Sequence, residues 1–287
     1  HTHKKAMGCG HSRTEGGYSD PDQPRRFKAM QDAKADRLVK LDELYEGKKL
    51  AGKVVLVTGS NRGLGLAITK ELVAQGAKVV ATCRTTAPEV EGLHKVVKGI
   101  DVTDNKCGDK LVQALGGESI DIVINNAGYF MTDPETIDNP NFAEELKMID
   151  ICAVGILRVT SAIVKNGLMA SGSKVVLITS QGGSIAWRDV QNAGGPFDYG
   201  HHMSKAAANM LGKLLSIELK PKGIMVSILH PGFNRTDMTS KYEHIWEVEG
   251  AVDASVGAKR VCHEINLVTM DTTGKFINCE DGKEIPW

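Results

Sequence analysis

The stretch Val54-Val55-Leu56-Val57-Thr58-Gly59-Ser60-Asn61-Arg62-Gly63-Leu64-Gly65 constrains the fold more than any other part of the chain. An apolar, β-branched run stops at a glycine-rich turn, and the turn opens directly into the helix-prone segment Leu66 to Gln75. Glycine suits such a turn because it takes backbone conformations closed to other residues and leaves no Cβ to hold a ligand away. Strand, glycine turn and helix in that order aim backbone N–H groups and the positive helix end at an anion, the arrangement that holds a pyrophosphate. Glycine also marks ordinary turns, so the pattern of the remaining chain has to decide between the two.

After Gly52, short β-branched runs alternate with longer helical stretches, the sequence form of a parallel sheet built from βαβ units. The candidate strands are Val54 to Thr58, Lys78 to Cys83, Lys95 to Ile100, Asp121 to Asn125, Lys174 to Thr179, Ile224 to Leu229 and Lys275 to Asn278. Most are almost wholly apolar rather than alternating, as strands covered on both faces should be. The expectation is an α/β, Rossmann-type doubly wound parallel sheet of seven strands with helices on both faces, spanning residues 51–287. Residues 1–50 read as an extension. His1 to about Pro24 is a glycine-, serine- and charge-rich tail that cannot bury enough apolar surface to fold alone. Phe27 to Tyr45 is helix-prone, with Leu38, Leu41, Leu44 and Tyr45 at three- and four-residue spacings and Gly47 placed to end the run. This amphipathic helix should dock on the domain or on a protein partner.

Lysine plus arginine equals aspartate plus glutamate at 35 each, which removes any general electrostatic case for nucleic acid or an anionic membrane. No run approaches the roughly 20 consecutive apolar residues of a membrane span. The one membrane signal is Met7-Gly8-Cys9-Gly10-His11-Ser12, which fits the myristoylation pattern if translation starts at Met7 and would give peripheral association with a membrane or membrane complex. The bland reading is a small-residue tail. Six cysteines, Cys9, Cys83, Cys107, Cys152, Cys262 and Cys279, lack a C-x-x-C pair or regular spacing. Neither a disulfide framework nor a metal site is suggested, which fits a reducing compartment such as cytoplasm, plastid stroma or mitochondrial matrix.

Further motifs give the chain a specific resemblance. The turn has the spacing T-G-x-x-x-G-x-G, Asp101-Val102 follows the third candidate strand, Asn125-Asn126-Ala127-Gly128 closes the fourth, and Pro231-Gly232-Phe233 follows the sixth and leads to Thr236. In this order and on these elements, Gly52 to Trp287 resembles the short-chain dehydrogenase/reductase family. Met203-Ser204-Lys205-Ala206-Ala207, His230-Pro231-Gly232-Phe233 and the ending Asp281 to Trp287 are similar to its C-factor-like carbonyl reductases. The resemblance implies a nicotinamide cofactor held by Gly59, Ser60, Asn61, Arg62, Gly63, Leu64 and Gly65, with Asp101 and Val102 near the adenine. It implies Asn125, Ala127 and Gly128 along the adenosine side, and Lys205, Pro231, Gly232, Phe233 and Thr236 toward the nicotinamide. Charge selects the cofactor: an acid after the second strand suits a ribose 2′-OH, whereas a 2′-phosphate needs cations. Thr82-Cys83-Arg84 carries no acid, and Arg62 adds a second guanidinium, so NADP(H) is expected. The alternative is that both arginines are ordinary solvated charges.

The resemblance also implies a catalytic set of tyrosine, a lysine four residues later, a serine after the fifth strand and an asparagine in the fourth helix. Ser180 and Lys205 match it. His201 stands where the tyrosine belongs, and aligning Gly155 with the family's N-x-x-G places Cys152 at the asparagine, with Asp150 the nearest polar substitute. Tyr199 lies six residues before Lys205, some 120° around a helix of roughly 3.6 residues per turn, and reaches the site only from a loop. Gly194-Gly195-Pro196 and Gly200 would permit one. Imidazole titrates near neutrality, but a Lys205 cation beside it disfavours the acid form. Trp187, Arg188, Asp189, Gln191 and Asn192 occupy a long connection that should shape the pocket. Two altered catalytic positions beside a nearly intact cofactor cradle imply a weakly active or non-catalytic accessory subunit, a pseudoenzyme. The alternative is an active NADPH-dependent carbonyl reductase that uses His201 or Tyr199 as proton donor.

Overall fold

The computed structural model describes residues 17–45, 49–131, 133–195 and 197–287. The Met7 to Ser12 motif, Cys9, Gly47 and Pro196 lie outside the described residues. Seven strands form one sheet: β1 (Val54–Thr58), β2 (Lys78–Thr82), β3 (Lys95–Val97), β4 (Ile122–Asn125), β5 (Lys174–Ile178), β6 (Met225–His230) and β7 (Phe276–Asn278). Their spatial order is β3-β2-β1-β4-β5-β6-β7, and every neighbouring pair is parallel, as in Val57 beside Ile124 and Leu177 beside Ile228. The expected fold class is borne out.

Two apolar layers explain why these strands lack alternation. Leu56, Val80, Val123, Val175, Leu177, Val226 and Ile228 pack with α3 (Cys107–Leu115), α5 (Gly155–Lys165) and α6 (Tyr199–Leu219) on one face. Val55, Val57, Val79, Ile122, Ile124, Val176 and Leu229 pack with α2 (Gly63–Ala74) and α7 (Ala254–Leu267) on the other. Consecutive residues therefore both meet apolar neighbours. The strand order reverses between β1 and β4, and ligands of such sheets bind in the crevice at the carboxyl ends there.

On the α6 side, α4 (Phe142–Ile149) starts at Asn141, whose side chain accepts from the Glu144 N–H. It continues through a π-helical turn, Asp150–Val154, into α5. The extension differs in form from a single helix over Phe27 to Tyr45. Helix α1 covers Gln23–Asp32, capped by the Asp22 side chain on Arg25 N–H with proline in its first turn. Lys34 takes a left-handed conformation, φ 47°, and two single turns come next, Asp36–Val39 and Leu41–Leu44. Leu38, Leu41 and Leu44 are half-buried, while Tyr45 is buried with its ring edge-on to His263 at 5.0 Å.

Candidate active site

The glycine turn lies at the reversal point between β1 and β4. Gly59 has φ 65°, and a Cβ there would stand 3.0 Å from the Ala127 backbone. A Cβ on Gly65 would fall 2.1 Å from the Gly59 carbonyl oxygen and 2.3 Å from Asn126 Nδ2. Both positions require glycine for close packing. The Ser60 hydroxyl donates to the Thr82 carbonyl, fixing the turn to β2, while Thr58 Oγ1 accepts from the Asn126 and Ala127 N–H groups. Asn126 Nδ2 donates to the Thr58 and Gly59 carbonyls. Asn125 is buried and donates to Thr160 Oγ1 at 3.1 Å.

The opening of α2 is unoccupied by side chains from its own end. Arg62 holds the cap position in an extended conformation and makes no side-chain capping bond, so the first N–H groups of α2 remain available to an anion. Asn61 and Leu64 are half-buried around it. Thr236 lies across the crevice, its methyl and Cβ each 3.8 Å from where a Cβ on Gly63 would stand. Arg62 and Arg84 are exposed. Arg84, Thr85, Gly99 and Asp101 line an open hollow. There the Asp101 carboxylate accepts from the Thr103 N–H and hydroxyl, and with Arg84 nearby these bonds hold its pKa low despite partial burial. Val102 is buried under Gly155, where a Cβ would come within 2.8 Å of it.

The catalytic candidates meet at the start of α6. Ser180 lies two residues beyond the end of β5, at the cap of the turn Gln181–Gly183, and accepts the Gly182 N–H on its Oγ. The glycines after it let this turn press on α6: a Cβ on Gly182 would stand 3.1 Å from His201 Nε2, and one on Gly183 would lie 2.6 Å from the Lys205 backbone. His201 and Lys205, four residues apart within α6, share a face. Tyr199 is already helical, as the first residue of α6, which turns it away from that face; its ring stacks at 6.2 Å on Phe197.

His201 lies flat against Phe130, with centroids 4.2 Å apart and planes 24° apart. The residue keeps some surface, but Nδ1 is sealed from solvent and has no hydrogen-bond partner. Burial, with the charges of Lys205, His202, Lys241 and Arg188 after it, pushes its pKa well below the usual imidazole value. The Lys241 ammonium also sits over Phe130, 3.8 Å from the ring centroid, and donates to the Met131 carbonyl. Tyr242 next to it donates to Asp198 at 2.7 Å. Among the described residues the Lys205 ammonium makes no hydrogen bond or ion pair.

Cys152 is fully buried in the π-helical turn, its Sγ 3.5 Å from both the N–H and the carbonyl of Tyr129. It braces the segment after Gly128 from below. Asp150 is held in an ion pair with Arg158 at 2.8 Å. In the connection after Ser180, Arg188 donates to the Ser184 and Gln181 carbonyls, while Trp187 is buried.

The loop after β6 carries Pro231, Gly232 and Phe233. Gly232 has φ 85°, and a Cβ there would meet Glu280 Cγ at 2.7 Å; Phe233 N–H donates to Glu280 Oε1. Sequence reasoning assigned no site position to Asn126, Phe130, Lys241 or Glu280. Asn126 was legible as part of its motif, whereas the other three are identified only by tertiary contact.

A family model described as short chain dehydrogenase matches residues 53–245. The 1-hydroxy-2-glutathionyl-2-methyl-3-butene dehydrogenase of Rhodococcus sp. (strain AD45) is 29% identical over 238 residues, covering 81% of this chain and 99% of that protein. The C-signal protein of Myxococcus xanthus is 33% identical over 168 residues, 58% of this chain and 93% of that protein, in keeping with the C-factor-like motifs. The crystal structure of NADPH-bound carbonyl reductase from chicken fatty liver superposes with a TM-score of 0.68 at 26% identity, covering 83% of this chain and all of that one.

Proposed function

The chain belongs to the short-chain dehydrogenase family, and on that premise we propose that it binds NADP(H) and carries a proton-donor site weakened by His201 in place of tyrosine. The glycine turn, the uncapped start of α2 and the cations Arg62 and Arg84 fit a dinucleotide bearing a 2′-phosphate. The likeness to an NADPH-bound carbonyl reductase supports the same cofactor. Gly59 to Gly65 would hold the pyrophosphate, Arg84 and Asp101 the adenosine end, and Lys205, Gly232, Phe233 and Thr236 the nicotinamide end. The chemistry such a cofactor supplies when bound is hydride delivery to a carbonyl carbon.

What this chain's own residues contribute is orientation and a proton. Ser180 offers a hydroxyl beside the turn that packs on His201, and Lys205 offers an ammonium on the same helical face. The observation that carries the reading is the setting of His201: stacked on Phe130 with a sealed and unpartnered Nδ1, in surroundings whose burial above all pushes its pKa down and favours the neutral ring. A neutral imidazole gives up a proton far less readily than imidazolium, so the growing alkoxide has no efficient acid. Loss of a positioned acid costs about 10² to 10⁴ in rate. Cys152, with its thiol engaged by Tyr129, replaces a polar anchor by a packed one. We therefore assign the protein low or absent reductase activity with retained cofactor binding, the properties of an accessory subunit.

NADPH oxidation against a panel of aldehydes, ketones and quinones tests this. The unchanged protein should be slow, and His201→Tyr with Cys152→Asn should raise the rate by about 10²-fold by restoring a donor. A fast reaction that collapses on His201→Ala identifies instead an active carbonyl reductase with His201 as donor; collapse on Tyr199→Phe would assign that role to Tyr199.

A further inference from the structure

The extension reaches the candidate site through buried polar groups. Arg26 of α1 is 4% exposed and pairs with Glu280, itself 5% exposed, at 2.8 Å. The same carboxylate accepts Gln23 Nε2 at 3.0 Å and, through Oε1, the Phe233 N–H at 3.1 Å. Arg26 Nη2 also donates to Gln181 Oε1 at 3.0 Å, and Gln181 Nε2 donates to Gln23 Oε1 at 3.0 Å. The Arg26 guanidinium lies 5.7 Å from the centroid of the buried Trp187 ring. Gln23 further donates to the Glu249 carbonyl, and Gln191 donates to the Pro21 carbonyl. Helix α1, with Pro21 just ahead of it, thus joins three things: the Ser180 turn at Gln181, the connection at Trp187 and Gln191, and, through Glu280, the loop after β6 at Phe233.

This is more than a surface attachment. A buried carboxylate demands a cation and further donors, and Glu280 spends one of its oxygens on the backbone of the loop that begins at Gly232. We propose that α1 is a working part of the site, in which Arg26 and Gln23 hold Glu280 on the Phe233 N–H and Gln181 beside Ser180, positioning both walls of the nicotinamide end. Arg26, Gln23 and Glu280 are positioning residues; none of them is assigned contact with a reacting atom. The inference rests on the assignment of NADP(H) as cofactor. It predicts that the extension sets affinity for the nicotinamide half of the cofactor and leaves the adenosine half alone, since Arg62, Arg84 and Asp101 lie outside the network.

The test compares NADPH with 2′-phospho-ADP-ribose, which lacks nicotinamide, by calorimetry on the full chain, together with the emission of bound NADPH. Arg26→Leu should weaken NADPH by about tenfold, the scale of one or two lost hydrogen bonds, red-shift the bound emission toward that of free NADPH, and leave 2′-phospho-ADP-ribose unchanged. Arg26→Lys should recover part of the loss. Gln23→Leu, which leaves the ion pair intact, is measured in parallel, so the outcome does not depend on Arg26→Leu folding, and it should shift NADPH in the same direction. NADPH affinity unaltered in Gln23→Leu and in whichever Arg26 variant folds, or equal losses for both ligands, would overturn the inference alone. No NADPH binding by the unchanged protein would overturn the cofactor assignment and this inference with it.

Discussion

His201 and Lys205 share a face of α6, yet their surroundings give them opposite roles. Lys205 remains available, while His201 packs against the Gly182 turn and Phe130, a ring that Lys241 also contacts. Burial first, and then the charges of Lys205, His202, Lys241 and Arg188, disfavour a cation on that imidazole, and the proposed weakness in proton donation rests on this. At the other end of the crevice, the cofactor choice turns on two exposed arginines, Arg62 at the uncapped start of α2 and Arg84 beyond the end of β2. Arg84→Ala should weaken NADPH by about tenfold, a charge-assisted phosphate contact amounting to roughly 1.5 kcal/mol or more, and leave NADH unchanged. Isothermal titration with both dinucleotides checks this; equal affinities for the two in the unchanged protein would remove the 2′-phosphate assignment.

Among the elements, the strands were legible because burial on both faces writes itself into the sequence as uninterrupted β-branched runs. Their ends were less so: β3 stops at Val97, where the expected strand ran on to Ile100, since Lys98 and Gly99 leave the ladder before the apolar residues run out. The glycine turn was legible for the reason that its glycines are indispensable, each Cβ meeting backbone at 3.0 Å or less at Gly59 and Gly65. Helix α1 was hidden. Its buried residues are Gln23 and Arg26, so no apolar stripe announces it, and its partner Glu280 is 254 residues away from Arg26 along the chain. The start signal was present in Asp22 and Pro24, a side-chain cap and a first-turn proline. Docking by buried polar groups has a measurable consequence: amides of α1 should exchange with solvent slowly, near the rate of the central helices, in hydrogen exchange on the intact protein. Exchange of Gln23 to Asp32 as fast as an unfolded peptide would mean that α1 does not dock.

Over the whole molecule, the ionisable groups buried beneath α1 tie stability to pH. Burial alone would raise the Glu280 pKa, but Arg26, His230 and Arg260 outweigh it and hold the carboxyl at about 2. His230 is pushed down to about 4, by burial above all. Both folded-state values lie below the unfolded ones, so the unfolded chain binds more protons, and stability falls as pH falls: through His230 from about 6.5 to 4, through Glu280 from about 4.5 to 2. Glu280→Gln should flatten the lower part of that decline in a melting-temperature series, while an unaltered slope below pH 4.5 would remove Glu280 as its source. The fold class could be read along the chain, and the proposed cofactor cradle and the proposed departures at His201 and Cys152 were legible as candidates because each belongs to a short local motif. The stack of Lys241, Phe130 and His201 could not, because it joins three separate segments. The central claim is that cofactor binding outlasts efficient chemistry. The most direct measurement titrates NADPH into the unchanged protein by fluorescence and then monitors its oxidation with carbonyl substrates under the same conditions. Saturable NADPH binding with turnover raised by His201→Tyr and Cys152→Asn is the predicted result; absent binding, or fast turnover that this double change abolishes, would contradict it.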